Sequence, residues 1–369
     1  MFSNLVRNIV RILVNLSSPA SPKKQSPAYN VVWQPVCNRK NPKRAHSKMP
    51  RRFSSPVLSA TLILAGFALG SAQATPPVPQ PGRESDLLGD RQGSSQVQAP
   101  SDAEMQARAK KLTANQHHDD EAIEQYERIE HHLARTGDAN PRTLEDKIYR
   151  VVPTGSGTLK LLLSSGGKPT EPAEYRRQLQ AWENVLELAL RPDDPRTKSA
   201  NAKWQKRKHD RADLVDAARD AFVPKWLGRE MQNGHECDVF RLDPNPNFHP
   251  HTMPEDVLTH ATAKIWVDHA SDQLVRGEAH ISRDVSFGGG ILGKLYRGGV
   301  FSMEQAEVEP GIWLPTRSQL DFTGRKFLFS FEQHEVVEAS QYRCVGPPSQ
   351  ALTLVRNELA SGKTAGGDP

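Results

Sequence analysis

The sequence predicts an α+β fold, mostly β: a meander of long antiparallel hairpins interrupted by a helical hairpin. Three observations predict it. Apolar residues in the C-terminal half recur with period two, the spacing of strands with one buried and one wet face. Turn-forming dipeptides punctuate these runs. Residues 171–220 break the pattern and carry apolar side chains at helical spacing instead.

Residues 121–135 suit either a helix or a strand, and Tyr126, Ile129 and Leu133 fit helical spacing better. Ile148–Val152 and Thr158–Ser164 flank Pro153-Thr154-Gly155-Ser156-Gly157 and read as a hairpin. Tyr175, Leu179, Trp182, Val185, Leu186 and Ala189 then mark a helix, with Thr170 as N-cap and Pro172 tolerated in the first turn. Pro192-Asp193-Asp194-Pro195 ends it, and a second, highly charged helix runs to about Asp220.

The remaining strands are expected at 225–232, 235–243, 259–268, 273–286, 298–309, 312–322 and 325–343. Asn233-Gly234 is a strong two-residue hairpin signal, Asp268–Asp272 a polar turn, and Pro310-Gly311 and Thr323-Gly324 close two more hairpins. Val275, Gly277, Ala279 and Ile281 share one parity against Arg276, Glu278 and His280. Ile312, Leu314, Leu320 and Phe322 share one parity against Trp313, Arg317, Gln319 and Asp321, and Phe327, Phe329 and Phe331 continue the alternation.

Charge divides the 369-residue chain. It holds 48 Lys and Arg against 43 Asp and Glu, a net of +5, but eleven of the basic residues and none of the acidic ones lie in residues 1–74. The rest carries a net −6. Met49-Pro50-Arg51-Arg52, the 13-residue apolar run Val57–Leu69 and Ser71-Ala72-Gln73-Ala74 together read as a secretory signal peptide over 49–74, cleaved after Ala74. The run is shorter than the roughly 20 residues of a membrane span. On this reading Met49 is the true start, residues 1–48 are an upstream extension, and the mature protein is periplasmic. Residues 75–105 read as a disordered linker, 106–345 as one domain with 171–220 as an insertion, and 346–369 as a flexible tail with a short helix near Leu352–Leu359.

Several motifs point to chemistry and fail on detail. Gly288–Leu295 resembles a phosphate-binding loop, but Leu295 stands where a Ser or Thr must hold magnesium. Gly155-Ser156-Gly157 lacks the length and strand-to-helix context of a nucleophile elbow. The histidines form no His-Glu-x-x-His pair, His117–Glu121 is a run of contiguous ligands, and His249-Pro250-His251 sits in a Pro-rich loop, so no metal site or cofactor is expected. Lys203–Arg211 is a basic run with one tryptophan. In an acidic exported protein it reads as a solvated helix face, with headgroup contact a further reading and nucleic acid excluded. Cys237 and Cys344, the cysteines of the mature chain, are candidates for a disulfide. No catalytic residue emerges.

Two stretches carry a family resemblance: Ile148–Gly157 leading to Gly167-Lys168-Pro169, and Ala263-Lys264-Ile265-Trp266-Val267-Asp268 followed by Leu274–Glu278, Val285–Gly290 and Gly311-Ile312-Trp313-Leu314-Pro315. Over roughly 122–345 the chain resembles exported bacterial proteins related in architecture to the LolA-like outer-membrane lipoprotein-sorting proteins. The resemblance implies a curved antiparallel sheet, an unclosed half-barrel with helices across its concave face, and makes 121–135 the first long strand. It further implies a non-enzymatic carrier or sensor of lipid or lipidated protein. The 171–220 helical hairpin is longer than the helix of a plain lipoprotein carrier, and that carrier's lid-closing basic residue matches no position here. The expected ligand lining is the apolar parity set Val275, Ala279, Ile281, Ile312, Leu314, Leu320, Phe322, Phe327, Phe329 and Phe331. The alternative is an envelope interaction module in which these side chains close the core and leave no cavity.

Overall fold

The computed structural model describes residues 98–137 and 140–362. The expected extension, signal peptide, cleavage point at Ala74 and most of the linker lie outside the described residues.

Thirteen strands form one antiparallel sheet: β1 (Tyr126–Arg135), β2 (Thr143–Pro153), β3 (Thr158–Ser165), β4 (Lys168–Pro169), β5 (Phe222–Gln232), β6 (His235–Pro244), β7 (Ala261–Asp268), β8 (Leu274–Ile281), β9 (Val285–Phe287), β10 (Gly293–Leu295), β11 (Val300–Glu309), β12 (Ile312–Lys326) and β13 (Phe329–Cys344). Their order is β4-β3-β2-β1-β13-β12-β11-β8-β7-β6-β5, with β10 paired to β12 and to β9. Its ends, β4 and β5, do not pair, so the sheet is open. Among the described residues five α-helices accompany it: α1 (Asp102–Ala122), α2 (Pro172–Ala189), α3 (Pro195–Ala221), α4 (Met253–Thr259) and α5 (Pro348–Ser361).

Local chemistry explains most boundaries. Asn233 and Gly234 take φ of 51° and 86°, the two positive values of the tight turn that joins β5 to β6. β1 is a strand despite its helical spacing, because β13 and β2 bond it on both sides. The hairpin expected at Thr323-Gly324 is displaced. β12 runs on to Lys326 and the chain turns at Phe327–Leu328. Gly324 serves a different need: a Cβ there would lie 2.6 Å from the Lys294 carbonyl oxygen, so the approach of β10 requires glycine. The expected strand 273–286 divides into β8 and β9, and residues 253–259 form α4, whose N-cap Thr252 accepts from the Glu255 N–H.

The helices divide between the two faces of the sheet. Leu159, Leu161 and Leu163 of β3 pack with α2 and α5, in a cluster built on Tyr175, Leu179, Trp182, Leu352 and Val355. Lys160, between them on the strand, points the other way, toward α3. The expected helical hairpin therefore straddles the sheet instead of forming one inserted unit. Thr170 does not cap α2; its hydroxyl donates to the Leu162 carbonyl and Glu171 takes the N-cap position.

The flexible tail expected over 346–369 is corrected too. Leu352, Val355 and Leu359 form an apolar stripe that α2 covers, so residues 348–361 belong to the folded unit. At the other end α1 begins at Asp102, inside the expected linker, with Ser101 and Glu104 forming a capping box. Across the α3 face, α1, α3 and α4 cover the main core, which includes Phe240, Ile265, Leu274, Phe301, Met303 and Phe322.

The expected Cys237–Cys344 bridge is absent. Cys237 is a buried free thiol. β6 and β13 are separated by β7, β8, β11 and β12, too far apart for a bridge whose Cα atoms must lie within about 7 Å.

Candidate ligand site

The helix-covered face carries two openings of opposite character. The first lies where α1 and α3 cross β5, β6 and β7. Leu112, Val215, Ala218, Phe240, Leu242 and Val267 line an apolar cleft of about 100 Å³. Met105 and Leu112 of α1 pack against the core only partly buried, and the fully buried residues of the helix are Gln116, Asp119 and Ala122. The helix therefore spans the core without filling it.

Polar contacts hold α1 in place. Arg108 pairs with the fully buried Asp238 and, at 2.6 Å, with Asp272. Asp238 also accepts from Trp226 Nε1 at 3.0 Å and Arg229 Nε at 3.1 Å, and His269 Nδ1 lies 2.6 Å away. Burial opposes ionisation of Asp238, yet Arg108, His269 and Trp226 outweigh it and hold the carboxyl well below the usual carboxylate range. Asn115 donates to the Ser271 and Asp272 carbonyls. Gln116 bonds Gln305 at 3.1 Å, and Asp119 accepts the Trp313 N–H at 3.1 Å. Burial pushes the Asp119 carboxyl up to about 6 despite that bond and His118 nearby.

The second opening lies further along α3, over β1, β3, β12 and β13, and is a charged cavity of about 340 Å³. Glu130 is its centre. Arg128 donates to one carboxylate oxygen at 2.7 Å, while Lys160 Nζ and His132 Nε2 lie 2.8 Å from the other. Burial disfavours the Glu130 anion, but Arg128, His132 and Lys160 hold it far below the ordinary range. Trp204 of α3 forms the opposite wall, with the Arg207 and Arg211 guanidinium groups 5.1 and 5.0 Å from its ring centre. Arg211 also faces Glu124 at 3.8 Å. Arg128 Nη1 and Arg211 Nε are buried without a hydrogen-bond partner. Five cationic side chains line the cavity (Arg128, Lys160, Arg207, Arg211 and Arg317) against three carboxylates (Glu124, Glu130 and Glu335). The basic run of α3 is thus half wall, half solvated surface.

None of the ten side chains expected to line a ligand site borders the apolar cleft. Ala279, Ile281, Leu320, Phe322 and Phe331 belong to the packed main core, and Ile312 and Leu314 close a smaller cluster with Tyr126. Val275 lies on the opposite face with Cys237, Trp266 and Trp313. A bulge in β8, where Val267 pairs with Leu274 but Trp266 with Arg276, breaks the parity that joined Val275 to Ala279. Phe327 and Phe329 are exposed at the β12–β13 turn. The cleft draws instead on α1, on the end of α3 and on β5–β7. The sequence signal for α1 was its capping box, Ser101-x-x-Glu104. Among the described residues no group of three or more His, Cys, Asp or Glu side chains is placed to hold a metal ion, and no helix is long and apolar enough to cross a membrane.

No protein-family model matches the chain, and no curated protein does. Solved structures are similar to it. A domain designated an outer membrane lipoprotein-sorting protein, from Vibrio parahaemolyticus, is 8% identical over 64% of this chain and 92% of its own, with a TM-score of 0.28. A DUF1329 family protein from Desulfovibrio piger is 12% identical over 64% and 92%, at a TM-score of 0.26. A LolA superfamily protein from Nitrosomonas europaea is 11% identical over 67% and 96%, at 0.24. The chain is similar to LolA-superfamily structures. Its fold class, a mostly antiparallel open sheet with helices, follows from the strand order itself.

Proposed function

We propose that the chain is an exported, non-catalytic binding protein, a carrier or sensor that holds the apolar part of a lipid or lipidated protein. The observation that carries this reading is the apolar cleft beneath α1, which the helix covers with partly buried Met105 and Leu112 and with polar pins from Asn115 and Gln116. Apolar clefts bounded by a few polar groups are the usual form of a small-molecule site. The charged cavity further along α3 suits the anionic head of such an amphiphile, because Arg128 and Arg211 each bring an unpaired donor to it. Export is supported by the basic, apolar and small-residue segments of 49–74.

The test is extraction of the purified protein followed by lipid mass spectrometry, with uptake of a fluorescent fatty acid measured in parallel. Bound lipid or saturable uptake is expected. Ala109→Trp, which places an indole in the cleft from the half-exposed side of α1, should reduce uptake at least tenfold. Lipid-free protein that takes up no probe would leave an envelope interaction module instead.

A further inference from the structure

Far from the cleft, two turns place their apolar side chains in water. The β9–β10 turn exposes Ile291 to 76% and Leu292 to 42%. The β12–β13 turn exposes Phe327 to 46%, Leu328 to 87% and Phe329 to 77%. The turns are joined, since β10 pairs with both β9 and β12. The Phe327 N–H donates to the Leu292 carbonyl at 3.1 Å, and Arg325 Nη2 donates to the Gly290 carbonyl at 3.1 Å. Five large apolar side chains thus form one projection, well beyond the scattered exposed residues of an ordinary surface.

Two further features distinguish this projection from a loose loop. Phe327 is held at φ 52°, a backbone region bulky residues avoid, and this conformation aims the turn outward. Gly288, Gly289 and Gly290 all take positive φ, which lets the partner turn close tightly enough to present Ile291. The surrounding charge is one-sided. Residues 283–297 and 322–331 contain Arg283, Lys294, Arg297, Arg325 and Lys326 against a single acid, Asp284. Asp284 pairs with Lys294 at 2.8 Å, while Arg325 and Lys326 have no acidic partner among the described residues. The next acid, Glu332, lies on β13 opposite Thr323, behind the tip.

We propose that this double-turn tip docks the protein on an anionic lipid bilayer, its apolar side chains entering the interface while Arg325 and Lys326 meet the headgroups. Charge complementarity selects this occupant. An apolar protein groove would satisfy the five apolar residues but not the cations behind them, and a second copy would bring like charges together. Aromatic and aliphatic insertion with adjacent basic residues is the combination that binds anionic membrane surfaces. The inference is independent of the ligand cleft.

The full chain is tested by flotation with vesicles of phosphatidylcholine alone and of phosphatidylcholine with one quarter phosphatidylglycerol, at low and high salt. Binding to the anionic vesicles, weakened by salt, is expected. Leu328→Ser with Phe329→Ser should lower the partition at least tenfold. Arg325→Gln with Lys326→Gln should lower it about tenfold on anionic vesicles and weaken the salt dependence. Leu328 and Phe329 are exposed, so the thermal midpoint of their variant should not move, and Lys326→Gln alone, which leaves the Arg325 bond to the Gly290 carbonyl in place, separates loss of charge from loss of folding. Equal binding by parent and both variants overturns the proposal. So does a concentration-dependent dimer that Leu328→Ser with Phe329→Ser abolishes while vesicle binding persists.

Discussion

Asp238 and Asp119 both pin α1, yet they make opposite demands on pH. The Asp238 carboxyl lies below its ordinary value, so its contribution is present at neutral pH and is lost as pH falls below about 4. Asp238→Asn should cost about 2–3 kcal/mol at pH 7, because it weakens the bonds from Arg108, Arg229 and Trp226 and leaves Arg108 with Asp272 as its one carboxylate, and should flatten the acid limb of a denaturation profile. Asp119 is raised to about 6, so stability is highest while it is protonated and falls as pH rises from about 4 through 6. Asp119→Asn keeps an acceptor for the Trp313 N–H and should stabilise the protein at pH 7 by about 2 kcal/mol, with no gain at pH 4; urea melts at the two pH values check both. Burial pushes the Cys237 thiol up to about 11. It should resist alkylation in the native protein and react once unfolded. None of these roles was legible in the sequence. Arg108 and Asp238 lie 130 residues apart and meet only when α1 folds back over β6.

At the level of elements, local chemistry was legible where it acts locally. The Asn233-Gly234 turn, the Pro195 start of α3 and the alternation along β12 are properties of a few adjacent residues. β1 was ambiguous because its strand state depends on β13, some 200 residues away in sequence. The end of β12 was misplaced because Gly324 answers to β10 crossing behind it, not to a turn. α5 is legible as a short helix near Leu352–Leu359, but not as part of the folded unit, because its apolar stripe has meaning only once α2 covers it. The interaction is strong enough to measure. Leu352 is buried in that cluster, so Leu352→Ala should destabilise the protein by about 2–4 kcal/mol in a denaturant melt. A flexible tail would show no change.

For the whole molecule, the open sheet presents an apolar floor under α1 and a charged one under the middle of α3. α1 spans the first chiefly through side-chain hydrogen bonds and ion pairs from Arg108, Asn115, Gln116 and Asp119. Apolar burial scales with area and is hard to undo locally, whereas a few polar pins can release together. Segments with little buried apolar contact open at free energies well below global unfolding. α1 is therefore expected to open as a unit while β7, β8 and β11, at the centre of the main core, stay closed. Hydrogen exchange followed by mass spectrometry should find the α1 amides exchanging faster than those three strands. Arg108→Ala removes the pin to Asp238 and Asp272 and should accelerate α1 exchange about tenfold or more without raising exchange in β8. Exchange in α1 as slow as in β8 would mean that the helix is an integral layer of the core, and a ligand would then need another way into the cleft.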